Sequence, residues 1–483
     1  MSILNNVEPS LLWKYFDALS KIPRASGDET AAAEFVISVA NDLGLEHKKD
    51  SVGNVLILKP ATPGHEKAPI IVMQSHLDMV CEKNSDKVFD FDTEAIQLLR
   101  EGDWLTADGT TLGADNGIGV ATMLAIFEDD SITHGALEGL FTVDEERGLN
   151  GAMSVSQDWL QGRTMLNLDS EEIGVFSIGC AGGRDTNLSL AVKRTTANGD
   201  TTLKIHLSGL RGGHSGIDIH EGRGNAVKIL NQLLYCLRKT ESFQLASFSG
   251  GDKHNAIPRE AFAEIIIQSS QKSAIQKSIN SFVSELKIEY NPVETKIQIK
   301  MEEIARTKTL PITDNDLTKL LALAAALPHG VSSMSRTITS LVETSNNVAA
   351  LRCEENAFKF LTSSRSSNMS SLQELLDVIV NIAELAGADV EQPPGYPGWM
   401  PDLDSKVLKV ALDTFKQVAG EDAKYEAIHA GLECGLIGEK LPGMDMISVG
   451  PTLQHPHSPD ERVHIGTVKL FYEHVLKMLE AMA

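Results

Sequence analysis

Only five cysteines, Cys81, Cys180, Cys236, Cys353 and Cys434, are spread through the 483 residues of this chain. They are odd in number and never form a C-x-x-C spacing, so they offer neither a disulfide framework nor a thiolate metal site. A reducing compartment fits, and all five are expected in the core. No apolar run reaches the roughly 18 residues that span a bilayer. The opening MSILNNVEPS lacks the basic start and hydrophobic stretch of a secretory leader. The expectation is a cytoplasmic protein with no membrane partner. Basic residues are scarce too, since 43 Lys and Arg face 66 Asp and Glu for a formal charge of −23. Nucleic-acid binding needs clustered Lys and Arg to neutralise phosphates, so no such partner is expected; cations and small zwitterions suit the chain better.

What is present is enough apolar material, 42% of residues, for more than one core. Length alone suggests two to four domains at roughly 100–200 residues each. Between residues 67 and 178, short apolar runs (68–74, 137–143, 164–168) alternate with the helix-like 116–129, which predicts an α/β fold with a parallel or mixed sheet covered by helices. CAGGRD (180–185) breaks that pattern. After it, strand-like 201–209 and 261–269 are interleaved with helix-like 226–239 and 272–287, as in an α+β insert. EQPPGYPGW (391–399) cannot extend a helix and reads as a hinge, after which the strand-like 444–450 resumes the first style. The expected organisation is a catalytic α/β domain from 1–182 and 396–483, interrupted by a second domain at 183–395.

The chemistry lies in the residues just beyond each apolar run. His76 and Asp78 come after IIVM, Asp115 opens a helix in GADNG, and Asp144, Glu145 and Glu146 come after LFTV. Asp169 comes after LNL, and His455 and His457 lie in VGPTLQHPHSPDE. Ligands of open α/β sheets collect outside the carboxyl ends of the strands, so groups distant in sequence could converge there. Imidazoles and carboxylates without thiolate suit zinc, manganese or cobalt. A pair of divalent ions about 3.5–4 Å apart needs a bridging carboxylate. Asp115, between Gly113 and Gly117, is the candidate bridge; His76 and Asp169 would complete one ion, Glu146 and His457 the other. Asp78, two residues after His76 on an extended segment, points to the same side and can accept the imidazole N–H. Glu145, beside a ligand, is the natural general base. Each segment alone has an ordinary explanation as a structural pair, a solvated acidic loop or a capped turn. The repetition of one pattern in five segments is what points to a single metal centre.

SHLDMV, GADNGIG, DEERG, LDSEE and HPHSPDE resemble, in this order and over nearly the whole chain, the motifs of the co-catalytic zinc peptidases. That family includes carboxypeptidase G, aminoacylase, tripeptide aminopeptidase and the carnosinases. Within it, HLDMV, GADNGIG, VDEERGLNGA and LRGGHSGIDIH are most similar to the bacterial dipeptidases of the aminoacyl-histidine type. The resemblance implies His76, Asp115, Glu146, Asp169 and His457 as metal ligands, Asp78 and Glu145 as the catalytic pair, and a cis peptide at Asp115–Asn116. It implies that the inserted domain is a lid through which a homodimer forms. His214, in LSGLRGGHSG, would stabilise the oxyanion of the scissile carbonyl, Asn255 would touch substrate, and Arg365 would clamp the substrate carboxylate. A helix-capping role for His214 and an exposed surface position for Arg365 are the alternatives. Gly431 and Glu433 fall in the stretch that touches substrate in relatives; Glu433 could hold a dipeptide's α-amino group or serve as a buried partner of a turn.

The activity this implies is hydrolysis of unblocked dipeptides, including aminoacyl-histidine and β-alanyl-histidine substrates. A water held between two divalent ions, zinc first with cobalt or manganese compatible, would attack while Glu145 takes its proton. The same site could serve an N-acyl amino acid deacylase or a carboxypeptidase. A metal-dependent scaffold without turnover is the non-enzymatic alternative, and it would have no use for Glu145.

Overall fold

The computed structural model describes residues 3–4 and 6–483. The chain forms two compact units, one of Met1–Cys180, Trp399–Ala427 and Leu432–Ala483, the other of Ala181–Gly398 and Ile428–Gly431. No helix among the described residues is long and apolar enough to cross a membrane.

The first unit is built on an eight-stranded mixed sheet. At its centre Leu137–Thr142, Ile71–His76, Thr164–Asn167 and Asp445–Ser448 lie side by side and parallel. Nearly every residue in these strands is buried, as parallel strands covered on both faces require. His76 pairs with Thr142, and Gln74 with Asn167, so the carboxyl ends lie level and the loops beyond them emerge at one edge. The fourth of these strands comes from the far end of the chain. The helix Ala114–Glu128 is buried along almost its whole length. Its Gly119 is packed so tightly that a β-carbon would collide with Asn116 and Ser75. A small antiparallel sheet of Leu98–Glu101, Trp104–Ala107, Arg462–His464 and Leu453–Gln454 holds the loop that bears His457.

The second unit is an antiparallel sheet of nine strands. Its buried leucines, isoleucines and phenylalanines pack with the helices Ala226–Thr240, Lys272–Glu289, Asp314–Ala326 and Met369–Ala386 in one core. Asn225 caps the first of these, its side chain accepting from the N–H groups of Val227 and Lys228.

Two expectations need correction. The boundaries fall at Cys180/Ala181 and Gly398/Trp399, and Ile428–Gly431 groups with the second unit although the sequence assigns all of 396–483 to the first. The reason is backbone pairing between distant stretches, the Ala181 N–H donating to the carbonyls of Ile428 (3.0 Å) and Ala430 (2.9 Å). Nor are all the cysteines in the core. Cys180 and Cys434 are buried, Cys81 and Cys353 half-buried, and Cys236 is exposed because it lies off the apolar stripe of its helix.

Candidate active site

At the carboxyl edge of the parallel strands the expected ligands meet. His76 Nε2 lies 3.1 Å from Asp115 Oδ1 and 3.5 Å from Asp169 Oδ1. His457 Nε2 lies 3.1 Å from Asp115 Oδ2 and 3.0 Å from Glu146 Oε2. Asp115 thus offers one oxygen to each imidazole. The result is two groups of three, His76–Asp115–Asp169 and Asp115–Glu146–His457, each with ligand atoms within 4.8 Å of one another and sharing Asp115. Glu145 forms a third group with His76 and Glu146. Glu146 Oε1 is buried with no hydrogen-bond partner, an acceptor left over in an acidic site. Two imidazoles, three carboxylates and a spare buried oxygen fit a pair of divalent cations.

Several side chains fix these candidate ligands in place. Asp78 accepts the N–H groups of Glu145 and Glu146 at 3.1 Å each, tying the acidic loop to the strand that bears His76. The His76 Nδ1 faces both the Asp78 carbonyl (3.1 Å) and its carboxylate (3.3 Å). The Asp115–Asn116 peptide is cis. The Asn116 side chain donates to the Leu168 carbonyl (2.8 Å) and to Asp169.

Two of the residues in this layer carry no role in the sequence reading. Glu461 is buried and accepts four successive backbone N–H groups, those of Leu112 (2.7 Å), Gly113 (2.9 Å), Ala114 (2.8 Å) and Asp115 (3.2 Å). Arg24, also buried, donates to the carbonyls of Leu77 and Asp78 at 2.9 Å and to that of Gly113. Gly113 has φ 70°, and a β-carbon there would strike the Arg24 guanidinium. A clue to Glu461 was available, because HPHSPDE places it four residues after His457. Arg24 stands in IPRASG, which shows no metal-site pattern.

Crowding acids out of water raises their proton affinity, and the site shows it. Burial, with Asp115 and Glu146 adding to it against the pull of His76, pushes Asp169 up to about 6. Glu171, in the LDSEE run but without a role in the sequence reading, is pushed up to about 7 by burial and by Asp115 and Asp169. Glu145 is raised well above the carboxylate range by burial, against the pull of His76 and with Asp169, Glu433 and Glu146 adding to it. For Asp78 and Asp115 burial acts in the same sense, but their imidazole partners, and for Asp78 two N–H donors, hold them below the usual range. Hydrogen bonds to Asp115 and Glu146 raise His457 to about 11.

Beneath the ligands runs a buried polar floor. Glu433 Oε2 accepts from Gln74 Nε2 (2.6 Å) and Thr142 Oγ1 (2.7 Å), and Gln74 Oε1 accepts from Asn167 (2.6 Å). Glu433 Oε1 has no partner, and burial raises this carboxyl to about 7. Gln74 and Asn167 each precede a candidate ligand by two residues, His76 on the same strand and Asp169 just past the end of its strand, a spacing that was legible as a signal.

His214, Asn255, Arg365 and Gly431 belong to the second unit. His214 Nδ1 accepts the N–H groups of Gly216 (3.2 Å) and Ile217 (3.0 Å), so the neutral ring carries its proton on Nε2. Burial and then the Arg365 charge lower it to about 4. Its loop is closed at both ends by buried Glu294, which accepts from Arg211 (2.8 Å) and Gly224 (2.9 Å) and has no role in the sequence reading. Asn255 is exposed, and its carbonyl accepts the Ser215 N–H at 2.8 Å. Arg365 is buried; Nη1 donates to the Tyr396 hydroxyl at 2.9 Å and Nε has no partner. A β-carbon on Gly431 would stand 2.9 Å from the Tyr396 ring.

Residues 205–294 match the M20 peptidase dimerisation domain. The chain is 39% identical to the cytosol non-specific dipeptidase of Escherichia coli (strain K12) over 481 residues, 99% of each chain. It is 41% identical to the aminoacylhistidine dipeptidase of Vibrio alginolyticus, with a TM-score of 0.92 over 99% of this chain and 98% of that one. A Bacillus cereus aminopeptidase, 16% identical at a TM-score of 0.58 over 99% of each chain, shares the fold. With that identity sustained from end to end, the chain belongs to the M20 family of metallopeptidases.

Proposed function

We propose that this protein is a two-metal dipeptidase that hydrolyses unblocked dipeptides, including aminoacyl-histidine and β-alanyl-histidine substrates. Similarity along the whole chain to two dipeptidases supports the reaction class. The observation that carries the reading is Asp115, whose two oxygens face two separate imidazoles that each have a further carboxylate. His76, Asp115 and Asp169 would hold one divalent ion, and Asp115, Glu146 and His457 the other. When bound, the pair would act as a Lewis acid on the scissile carbonyl and make water acidic near neutral pH. Zinc suits the nitrogen and oxygen set, as do cobalt and manganese.

Glu145 stands beside the ligands without being needed as one. We assign it the proton transfer, from the attacking water to the leaving amine. Asp78 orients both His76 and the Glu145–Glu146 backbone. His214, with its Nδ1 already occupied, presents Nε2–H as a fixed donor for the developing oxyanion, worth about 3–4 kcal/mol in comparable sites. Arg365 is assigned to the substrate's terminal carboxylate, Asn255 and Gly431 to substrate contacts, and the unpartnered Glu433 oxygen to the α-amino group. Recognition of both termini selects short substrates.

The segment that matches a dimerisation domain leaves Tyr235 and Ile288 exposed at 50% and 80%, which favours a homodimer through the second unit. A cytosolic location accords with the name of the Escherichia coli relative. The test is to strip metal with a chelator, restore zinc, and compare a dipeptide with its N-acetyl form. The unblocked dipeptide is expected to be the better substrate. Faster cleavage of the acetylated compound would make the protein a deacylase or carboxypeptidase instead.

A further inference from the structure

The sheet of the second unit carries a buried polar patch. In register across the strands Val342–Cys353, Ala357–Ser366 and Gly182–Ala191, Ser345 faces Arg365 and Arg365 faces Gly183. Two residues along, Asn347 faces Ser363 and Ser363 faces Asp185. Opposed residues, and residues two apart on a strand, share a face, so these positions form one continuous surface. Ser345, Asn347, Ser363 and Arg365 are all buried there. Such a patch is costly unless its polar atoms find partners. Asn347 Nδ2 finds the Ala256 carbonyl at 2.8 Å, while its Oδ1 has no partner. Asp185 is held below the usual range despite burial by His254 and Ser363, with Arg365 adding its charge.

His429 stands on this patch, Nε2 lying 2.7 Å from Ser345 Oγ. It is 7% exposed, and its Nδ1 makes no hydrogen bond; the Val342 carbonyl faces the ring outside hydrogen-bond geometry. A side chain on Gly216, two residues after His214, would run into the His429 carbonyl, so the two segments are in close contact. Burial, and then chiefly the Arg365 charge, lower His429 to about 3. The ring is therefore neutral, and we assign the Ser345 hydroxyl as the donor to Nε2, which puts the ring proton on Nδ1. Arg365 Nε, on the residue directly opposite Ser345, is likewise buried and unpartnered.

We infer that His429, held by Ser345, is a substrate-binding residue that donates Nδ1–H to the terminal carboxylate of the dipeptide beside Arg365 Nε–H. A carboxylate has about four lone-pair sites and can accept from both. One neutral and one charged donor bind it without burying a second cation next to Arg365. The inference rests on the dipeptidase reading and deepens it by setting what recognises the carboxyl end.

The test compares a dipeptide with its C-terminal carboxamide, using the metal-loaded full chain and the variants His429→Gln and Ser345→Ala. A hydrogen bond to a charged group makes a difference of about 10- to 100-fold in affinity. His429→Gln is therefore expected to raise KM for the free acid about that much, with kcat within about 3-fold. The preference for acid over amide in kcat/KM should shrink by the same factor. Ser345→Ala should move the preference in the same direction by a smaller step, since it only frees the ring. A histidine that merely supports the fold would slow both substrates alike. A preference unchanged within about 2-fold in both variants overturns the inference alone. If the wild type cleaves no unblocked dipeptide, the dipeptidase reading falls and this inference falls with it.

Discussion

Glu461→Gln offers the sharpest test of how the metal site is held. The carboxylate accepts four buried N–H groups in a row, those of Leu112, Gly113, Ala114 and Asp115. A hydrogen bond to a charged group contributes about 1.5–3 kcal/mol, and each orphaned buried donor costs about 1–3 kcal/mol. Glu461→Ala orphans all four, on the order of 4–12 kcal/mol, comparable with the whole stability of a domain, and should fail to accumulate. Glutamine keeps one oxygen for two of the donors and turns an NH2 toward the other two. The segment must then move, and Asp115, whose own N–H is one of the four, moves with it. Loss of a partner that orients a ligand lowers metal affinity about 10- to 100-fold, or about 1.4–2.7 kcal/mol. The assay is calorimetric titration of the chelator-stripped protein with zinc and with cobalt, alongside urea unfolding of the metal-free form. Metal affinity within about 2-fold of wild type, with only the unfolding midpoint lowered, would show that Glu461 supports the fold without placing Asp115.

Glu145→Gln should retain both ions by the same titration while kcat falls on the order of 10²–10⁴-fold; undiminished hydrolysis would remove the proton-transfer role. His474 bears on stability against acid. His474 is buried, its Nε2 3.0 Å from the Ala411 carbonyl and its ring stacked on Phe176 at 5.2 Å, and burial lowers it from 6.5 to about 4. Because the folded value lies below the unfolded one, its contribution is full above about pH 6.5 and is lost as pH falls toward about 4. The difference between 6.5 and about 4 corresponds to about 3 kcal/mol. In His474→Phe the stability gap to wild type should therefore close by about that amount between pH 7 and pH 4, read from urea midpoints; a gap independent of pH would refute the account.

The ligand segments were legible because their signal is local. His76, Glu146 and Asp169 stand at or within a few residues of the end of an apolar run, Asp115 opens a helix and His457 follows its strand at a distance, and Ile71–His76, Leu137–Thr142, Thr164–Asn167 and Asp445–Ser448 all end at the same edge. Parallel pairing aligns carboxyl ends whatever the distance along the chain. The helices Ala226–Thr240 and Lys272–Glu289 were legible for a similar reason, since a 3.6-residue apolar period is written into the residues themselves.

Glu461, Arg24, Glu294 and His429 were not legible in that way. A buried charged or polar side chain is defined by what it pairs with, and their partners, 112–115, the carbonyls of 77, 78 and 113, the ends of the His214 loop, and Ser345, lie far away in sequence. The placing of Ile428–Gly431 in the second unit has the same origin, in backbone bonds to Ala181. The amino-acid order by itself determined which elements form and which donor atoms sit at their ends, because both arise from local periodicity and chain direction. Only the tertiary structure decided which buried group satisfies which, because desolvation makes every such pairing obligatory while leaving the choice of partner to the packing of distant segments.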